Sequence, residues 1–345
     1  YGGHQMIAEN GRMLAERSPL SEGARHTVTD IDHSELAADR LVNKTFGTQA
    51  AQYRSTQTYR VIRADAPQPT TDTLLRSIDS HPFVPRNPET LDQRCEEIFR
   101  NMAHALARRA QEASSQAFVL GLSGGLDSTL ALLTCMYACD ILGKSYDFIH
   151  TLTMPGLASS EQTQDLATTL AQTAGATHTI APIHDLSNAV FGSIGHDGTT
   201  EDITYENTQA RVRTLLLMNY ANLHGGMVVG TGDMSENAQG WCTYNGDQMS
   251  MFNPNTSIPK TLVRHLVRWY ADRRASDEMK PVLAEAAVQR VSPELKKGTD
   301  GGMQATDDTL GPDDLRDFFL YHQNRRREDP SKTGYLAVKA FEGVY

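Results

Sequence analysis

The run FVLGLSGGLDSTLALL at residues 118–133 narrows the possible folds more than any other part of this chain. A strongly apolar strand passes into a glycine pair, and the pair passes directly into an apolar helix. Gly124 and Gly125 admit close backbone approach, while the first turn of a helix offers amides with no partner inside it. Ser123 and Ser128 add hydroxyl donors. That combination suits pyrophosphate or a nucleotide phosphate. It is neither the Walker lysine loop nor the dinucleotide fingerprint. A plain glycine turn is the structural alternative.

Asp127 is the unusual member of this loop, because a carboxylate beside phosphate oxygens repels them unless a cation is shared. Mg²⁺, a hard ion that accepts carboxylate, phosphate and water oxygens, solves the problem and requires a second carboxylate. Glu236 is the leading candidate, since GTGDMSE follows the apolar strand MVVG and strand carboxyl ends surround α/β sites. Asp233 competes for that role, or else caps the turn that follows.

The rest of the chain fits an α/β fold, a mostly parallel sheet flanked by helices. Helices are expected over 91–113, 129–142, 159–174 and 204–223, with strands over 117–122, 146–154, 177–183 and 227–230. Past 230 the chain is loop-rich, with helices expected over 260–272 and 280–287. Residues 296–309 read as a loop that orders on binding, with Lys296 and Lys297 positioned to approach phosphate. Before the sheet, residues 5–7 and 11–15 read as two strands around Asn10-Gly11, 26–31 as a third, and 53–63 as a further extended segment. A helix is expected from about Ser34, capped by Asp32 or His33. The prolines between 64 and 90 mark a linker or a surface wrap. The domain expectation is therefore 1–64, a linker at 65–89, and a main domain at 90–345.

On a helix over 204–223, Glu206, Gln209 and Arg213 share a side while Arg211 points elsewhere. Asn207 and Gln209 supply directional hydrogen bonding, and the arginines suit phosphate. Further on, Gly246 permits a turn at Asp247. Trp241 and Tyr244 either line a flat-ring pocket or pack structurally.

The Ser-Gly-Gly-Leu-Asp-Ser loop resembles the pyrophosphate loop of ATP pyrophosphatases that adenylate a substrate, an adenine nucleotide alpha hydrolase-like, Rossmann-like fold. Residues 90–320 resemble the synthetase portion of glutamine-dependent NAD⁺ synthetases. The resemblance rests on LGLSGGLDSTLAL, TMPG at 153–156, ENTQARVR at 206–213, VGTGDMSENAQGWCTYNGDQMSMFNPNTSIPK at 229–260 and SPEL at 292–295. It implies amidation of deamido-NAD⁺ through an adenylate, with ATP and deamido-NAD⁺ as substrates and Mg²⁺ as cofactor. It implies Asp127, Glu236 and Lys260 as catalytic, with Asp127 and Glu236 as metal ligands. Ser123, Gly124, Gly125, Asp127, Ser128, Met154, Arg211, Thr231 and Lys260 fall to ATP or its pyrophosphate. Glu206, Asn207, Gln209, Trp241, Tyr244 and Asp247 fall to deamido-NAD⁺. A homo-oligomer is also implied. Another ATP-pyrophosphatase amidotransferase, or an inactive nucleotide-binding assembly module, stays as the alternative.

GGHQMIAENGRMLAE and VTDIDHSELAADR within the first 60 or so residues resemble the C-terminal end of a nitrilase-like amidase. The amidase's cysteine nucleophile has no recognisable segment here. Among Cys95, Cys135, Cys139 and Cys242, the pair at 135 and 139 reads as helix packing. The first residue is Tyr, and the chain is expected to be part of a longer enzyme or of a split pair, receiving ammonia from a glutaminase elsewhere. The 42 acidic against 32 basic side chains, net −10, weigh against nucleic acid as a partner without excluding a local anion site. No apolar stretch is long enough for a membrane helix and no leader is visible, so the expected setting is cytoplasmic and reducing.

Overall fold

The computed structural model describes residues 3–18, 26–58, 60–63, 73–157, 159, 161–288 and 309–345. SPEL at 292–295, Lys296, Lys297 and nearly all of the 296–309 loop lie outside the described residues. The chain forms two compact units, one of residues 1–82 with 318–345 and one of residues 83–317.

In the first unit, β1 (Gln5–Glu9) and β2 (Arg12–Arg17) pair antiparallel around a turn in which Asn10 and Gly11 take φ of 48° and 75°. This is the expected hairpin, its turn supplied by residues that tolerate positive φ. Helix α1 (His33–Val42) starts where the Asp32 side chain accepts the Glu35 N–H at 3.0 Å. Two expectations fail in this unit. Residues 26–31 form no strand, and α2 (Lys44–Thr56) replaces the first part of the extended segment read over 53–63. No residue of α2 is buried, so no apolar stripe marks it in the sequence. Two ion pairs tie the unit's two stretches together, Arg326 with Glu35 and Lys332 with Asp32, while Arg76 bonds Glu9 at 2.9 Å within the first stretch and Lys332 also meets Glu328 within the second.

The second unit carries the parallel sheet. After the long helix α3 (Leu91–Glu112) come β3 (Phe118–Gly121) and α4 (Leu126–Leu142), then β4 (Ile149–Thr153) and α5 (Glu161–Thr173). They are followed by β5 (Thr177–Ile180), α6 (His184–Ile194), α7 (Ile203–Leu223) and β6 (Met227–Val229). The sheet order is β5-β4-β3-β6, all parallel, with Leu120 of β3 opposite Thr151 and Val229. β3 alternates across the layers. Phe118 and Leu120 join the core built with α3, α4, α9 (Lys260–Arg273) and α10 (Met279–Val288). Val119 faces the other way, with Leu152, Val212 and Val228. Burial on both faces is why β3 reads as an unbroken apolar run rather than an alternating one. Each such side chain, fully buried, contributes about 1.5–3 kcal/mol. Phe99 stacks on Tyr137 and Trp269 at ring separations of 5.1 and 5.8 Å, joining α3, α4 and α9.

The chain starts at β3, runs outward through β4 to β5, and then crosses back to add β6 on the other side of β3. The gap between β3 and β6 is therefore the switch point of the sheet, outside whose strand carboxyl ends ligands of α/β proteins bind. Several elements were not anticipated, namely α6, the short α8 (Met234–Gln239), α11 (Asp313–Leu320) and α12 (Pro330–Ala340). Among the described residues, no helix is long and apolar enough to cross a membrane.

Candidate functional site

At the switch point, β3 leads into the glycine loop. Gly124 takes φ +82°, and a Cβ there would lie 3.0 Å from the Thr163 carbonyl oxygen, so the position requires glycine for both conformation and space. The Ser123 hydroxyl accepts the Gly125 N–H at 3.2 Å, and Ser128 donates to the Gly125 carbonyl at 3.0 Å. The N-cap of α4, Gly125, makes no side-chain cap hydrogen bond. The helix begins at Leu126, three residues earlier than expected, which puts Asp127 in its first turn rather than in the loop.

Across the switch point, β6 leads through Thr231 and Gly232 into α8. Asp233 caps it, accepting the Glu236 N–H at 2.8 Å, while Glu236 accepts the Asp233 N–H at 3.2 Å. The capping role held open for Asp233 is thus real, and Asp233 also stands in the cluster. Asn255, fully buried, closes the gap from beneath by donating from Nδ2 to the Asp127 carbonyl at 2.9 Å and to the Thr231 carbonyl at 3.2 Å.

Lys260 opens α9 and sends its ammonium between the acids. Nζ lies 2.6 Å from Asp127 Oδ2 and 3.0 Å from Glu236 Oε1, and it pairs with Asp233 Oδ2 at 2.8 Å without the alignment of a hydrogen bond. Lys260 and Asp233 side chains are 2% and 0% exposed, whereas those of Asp127 and Glu236 are 19% and 24% exposed. The cluster is therefore sealed on one side and open at the Asp127 and Glu236 side. Lys260 was expected to approach the activated carboxylate or ATP phosphates, and here its ammonium lies among the three acids.

The electrostatics are those of a crowded site. Burial pushes the Asp127 carboxyl well above the ordinary range, with Glu236 and Asp233 adding to the rise against the Lys260 ammonium. Burial also raises Glu236, again opposed by Lys260. Burial disfavours the charged form of Lys260, but the three carboxylates override it and hold the amine protonated. Three carboxylates facing one ammonium leave two negative charges in excess when all are ionised. Oxygens of Asp127, Asp233 and Glu236 lie within 4.8 Å of one another, and buried Asp127 Oδ1 has no hydrogen-bond partner. An unsatisfied hard oxygen in an acid-rich cluster is a donor set that fits Mg²⁺.

Helix α7 supplies a second wall through two rows of side chains. Gln209 accepts the Leu157 N–H at 3.1 Å, and Arg213 donates to the Met154 carbonyl at 3.2 Å, both on the loop after β4. Gly156 belongs there because a Cβ would come 2.6 Å from Gln209 Oε1. The other row faces 243–246: Asn207 accepts from the Thr243 hydroxyl, Arg211 donates to the Tyr244 carbonyl and Thr214 to the Gly246 carbonyl. The separate direction of Arg211 is as expected. Gln209 is fully buried and committed to the loop, so it braces the wall rather than opening onto it. Asp247 accepts the Thr243 N–H at 2.6 Å, a turn contact, with Asn245 rather than Gly246 in the left-handed conformation. Tyr244 is 83% exposed and Trp241 half-buried, so the Tyr244 ring lines no closed pocket. Glu206 lies in the first turn of α7, and the Thr231 carbonyl is held by Asn255. Sequence reasoning missed Asn255 and Asp317, because a buried amide and a distant carboxylate carry no local pattern.

A family profile described as NAD synthase matches residues 98–283, more than half of the chain. A protein of Mycobacterium tuberculosis named glutamine-dependent NAD(+) synthetase is 37% identical over 349 aligned residues, covering 99% of this chain and 51% of that protein. One of the same name from Thermotoga maritima is 30% identical, covering 99% and 54%. The chain thus spans about half the length of the curated relatives it matches. Among solved structures, a glutamine-dependent NAD⁺ synthetase of Acinetobacter baumannii in complex with ADP is 28% identical with TM-score 0.51, covering 69% of this chain and 40% of that one. An NMN synthetase of Francisella tularensis shares the fold with TM-score 0.56 at 22% identity, covering 71% and 92%.

Proposed function

This chain belongs to the NAD synthase family, and from that premise we propose that it amidates deamido-NAD⁺ to NAD⁺ with ATP and ammonia. A nicotinate carboxylate oxygen attacks the α-phosphorus of ATP and pyrophosphate leaves. Ammonia then attacks the carbonyl carbon of the acyl adenylate, AMP leaves, and a proton is given up. The observation that carries this reading is the pairing, at the switch point, of an uncapped helix start beside a glycine loop with an acid cluster open to solvent at Asp127 and Glu236.

Each part has a task that its chemistry suits. The opening turn of α4, with Ser123 and Ser128, receives the departing pyrophosphate. Arg211, Glu206 and the 241–247 loop are offered to the nucleotides, while Gln209 and Arg213 keep the 154–157 loop in place. Asp127 and Glu236 would hold Mg²⁺, with Asp233 behind them. When bound, the ion supplies charge neutralisation for phosphate oxygens during transfer. Lys260 keeps the three carboxylates together and offsets part of their repulsion. Shielding the adenylate from water falls to the walls around it, because water competes with ammonia for the same carbon.

Ammonia is supplied, in this proposal, by a glutaminase in cis or on a separate chain, as the relatives' names suggest. Residues 1–64 are then a C-terminal segment of a nitrilase-like domain, 65–89 a linker and 90–345 the synthetase. Subunits pair as homo-oligomers, and the four free thiols suit a reducing cytoplasm. Isotope exchange between pyrophosphate and ATP tests the first step: it is expected only when deamido-NAD⁺ and Mg²⁺ are both present. Exchange indifferent to the dinucleotide, or absent with a folded sample, counts against the adenylation.

A further inference from the structure

Helix α9 begins without a cap of its own. Pro259 occupies its N-cap position and offers no side-chain acceptor, although Lys260, the first helical residue, places the ammonium at the centre of the acid cluster. The missing acceptors come from elsewhere. The Ser235 hydroxyl accepts the Lys260 N–H at 3.0 Å, and Asp317 Oδ2 accepts the Thr261 N–H at 2.8 Å and the Thr261 hydroxyl at 2.7 Å. Asp317 Oδ1 accepts from the Ser235 hydroxyl in turn. Ser235 is the residue between Met234 and Glu236 in the first turn of α8.

One carboxylate therefore ties together the starts of the two helices that carry Glu236 and Lys260. Asp317 is 1% exposed, and its hydrogen-bond partners among the described residues are all neutral. Burial raises its carboxyl above the ordinary range, with the hydrogen bonds from Ser235 and Thr261 opposing the rise. An isolated buried charge is expensive, and the compensation here is the positive end of α9 together with three donated hydrogen bonds. Asp317 lies beyond the 98–283 stretch matched by the family profile.

We infer that Asp317 is a positioning residue, which acts through Ser235 and Thr261 to fix the Lys260 ammonium against Asp127 and Glu236. Misplacement of a reacting group by about 1 Å costs on the order of a hundredfold in rate, so the clamp is felt in catalysis rather than in stability alone. The kinetic arm of the test rests on the reading proposed above, while the labelling arm does not.

The variants are Asp317→Ala and Asp317→Asn in the full chain. Asn keeps one carbonyl oxygen for the Thr261 donors. Acylation of lysines by an N-hydroxysuccinimide acetate, read peptide by peptide, is expected to reach Lys260 about tenfold faster in Asp317→Ala and by less in Asp317→Asn, with exposed Lys144 unchanged as the control. Turnover to AMP with ammonia is expected to fall by about ten- to a hundredfold in Asp317→Ala, with KM for ATP moving far less and Asn restoring part of the loss. A folded Asp317→Ala whose Lys260 labelling and kcat both match the parent overturns the inference. If Asp317→Ala does not fold, Thr261→Val removes one donor and keeps the N–H. Faster Lys260 labelling there supports the clamp, and unchanged labelling overturns it. A parent chain that makes no AMP defeats the proposed function, and the labelling still decides the role of Asp317.

Discussion

Replacing Lys260 with Met removes the ammonium that three acids share and leaves a side chain of similar length in a sealed place. Its charge lies 2.6, 2.8 and 3.0 Å from Asp127, Asp233 and Glu236. Breaking a buried pair by removing one partner costs about 3–5 kcal/mol. At roughly 2–4 °C per kcal/mol for a unit of this size, the melting temperature should fall by about 6–20 °C. The loss depends on pH with a sign that follows from the acids. Asp127 and Glu236 already sit above the ordinary carboxylate range, so the native state holds their protons more tightly than the unfolded chain does. Their contribution is in place below that ordinary range and is lost as pH rises through the raised values. Without Lys260 both values rise further, so the deficit against the parent should be smallest in acid and widen toward neutral pH. Added Mg²⁺ should recover more stability in the variant than in the parent, because a divalent ion replaces the missing charge. Thermal unfolding followed by circular dichroism at several pH values, with and without Mg²⁺, measures all of this. A variant that melts with the parent at every pH, and ignores Mg²⁺, refutes the reasoning.

Other consequences follow from the same geometry. Asp127→Asn and Glu236→Gln should each lower pyrophosphate exchange by about 10²–10³-fold with the fold intact by circular dichroism; near-normal exchange in either removes that residue from the site. Gly124→Ala forces φ +82° on a residue with a Cβ and sets that carbon 3.0 Å from a backbone oxygen, so exchange should collapse and stability fall by about 1–3 kcal/mol in denaturant titration. Gly156→Ala pushes against Gln209 Oε1 and should raise KM for deamido-NAD⁺ more than it lowers kcat in steady-state kinetics. Asn255→Leu keeps the bulk but removes the donor that joins the Asp127 and Thr231 carbonyls, and should reduce exchange by about tenfold.

The strand, glycine turn and helix at 118–133 were legible because β3 is buried on both faces and needs an uninterrupted apolar run. Asp127 and Glu236 stood out as acids following apolar strands, and the parallel sheet brings those strand ends together. Lys260 was visible as a residue but not in its direction, because its environment comes from positions 127, 233 and 236. Asp317 contacts Ser235, 82 positions earlier, and no local pattern encodes such a bond. Helix α2 was missed for a different reason: with no buried face it carries no 3.6-residue stripe, and its polar sequence passes for an extended segment.

The central claim is that this chain forms an amide on deamido-NAD⁺ through adenylation. Its most direct test incubates the chain with ATP, Mg²⁺, deamido-NAD⁺ and ammonia, and quantifies NAD⁺ and AMP together. The account predicts NAD⁺ and AMP in equal amounts with ammonia. A folded, magnesium-supplied chain that yields neither product with ammonia, or that yields ADP in place of AMP, contradicts it.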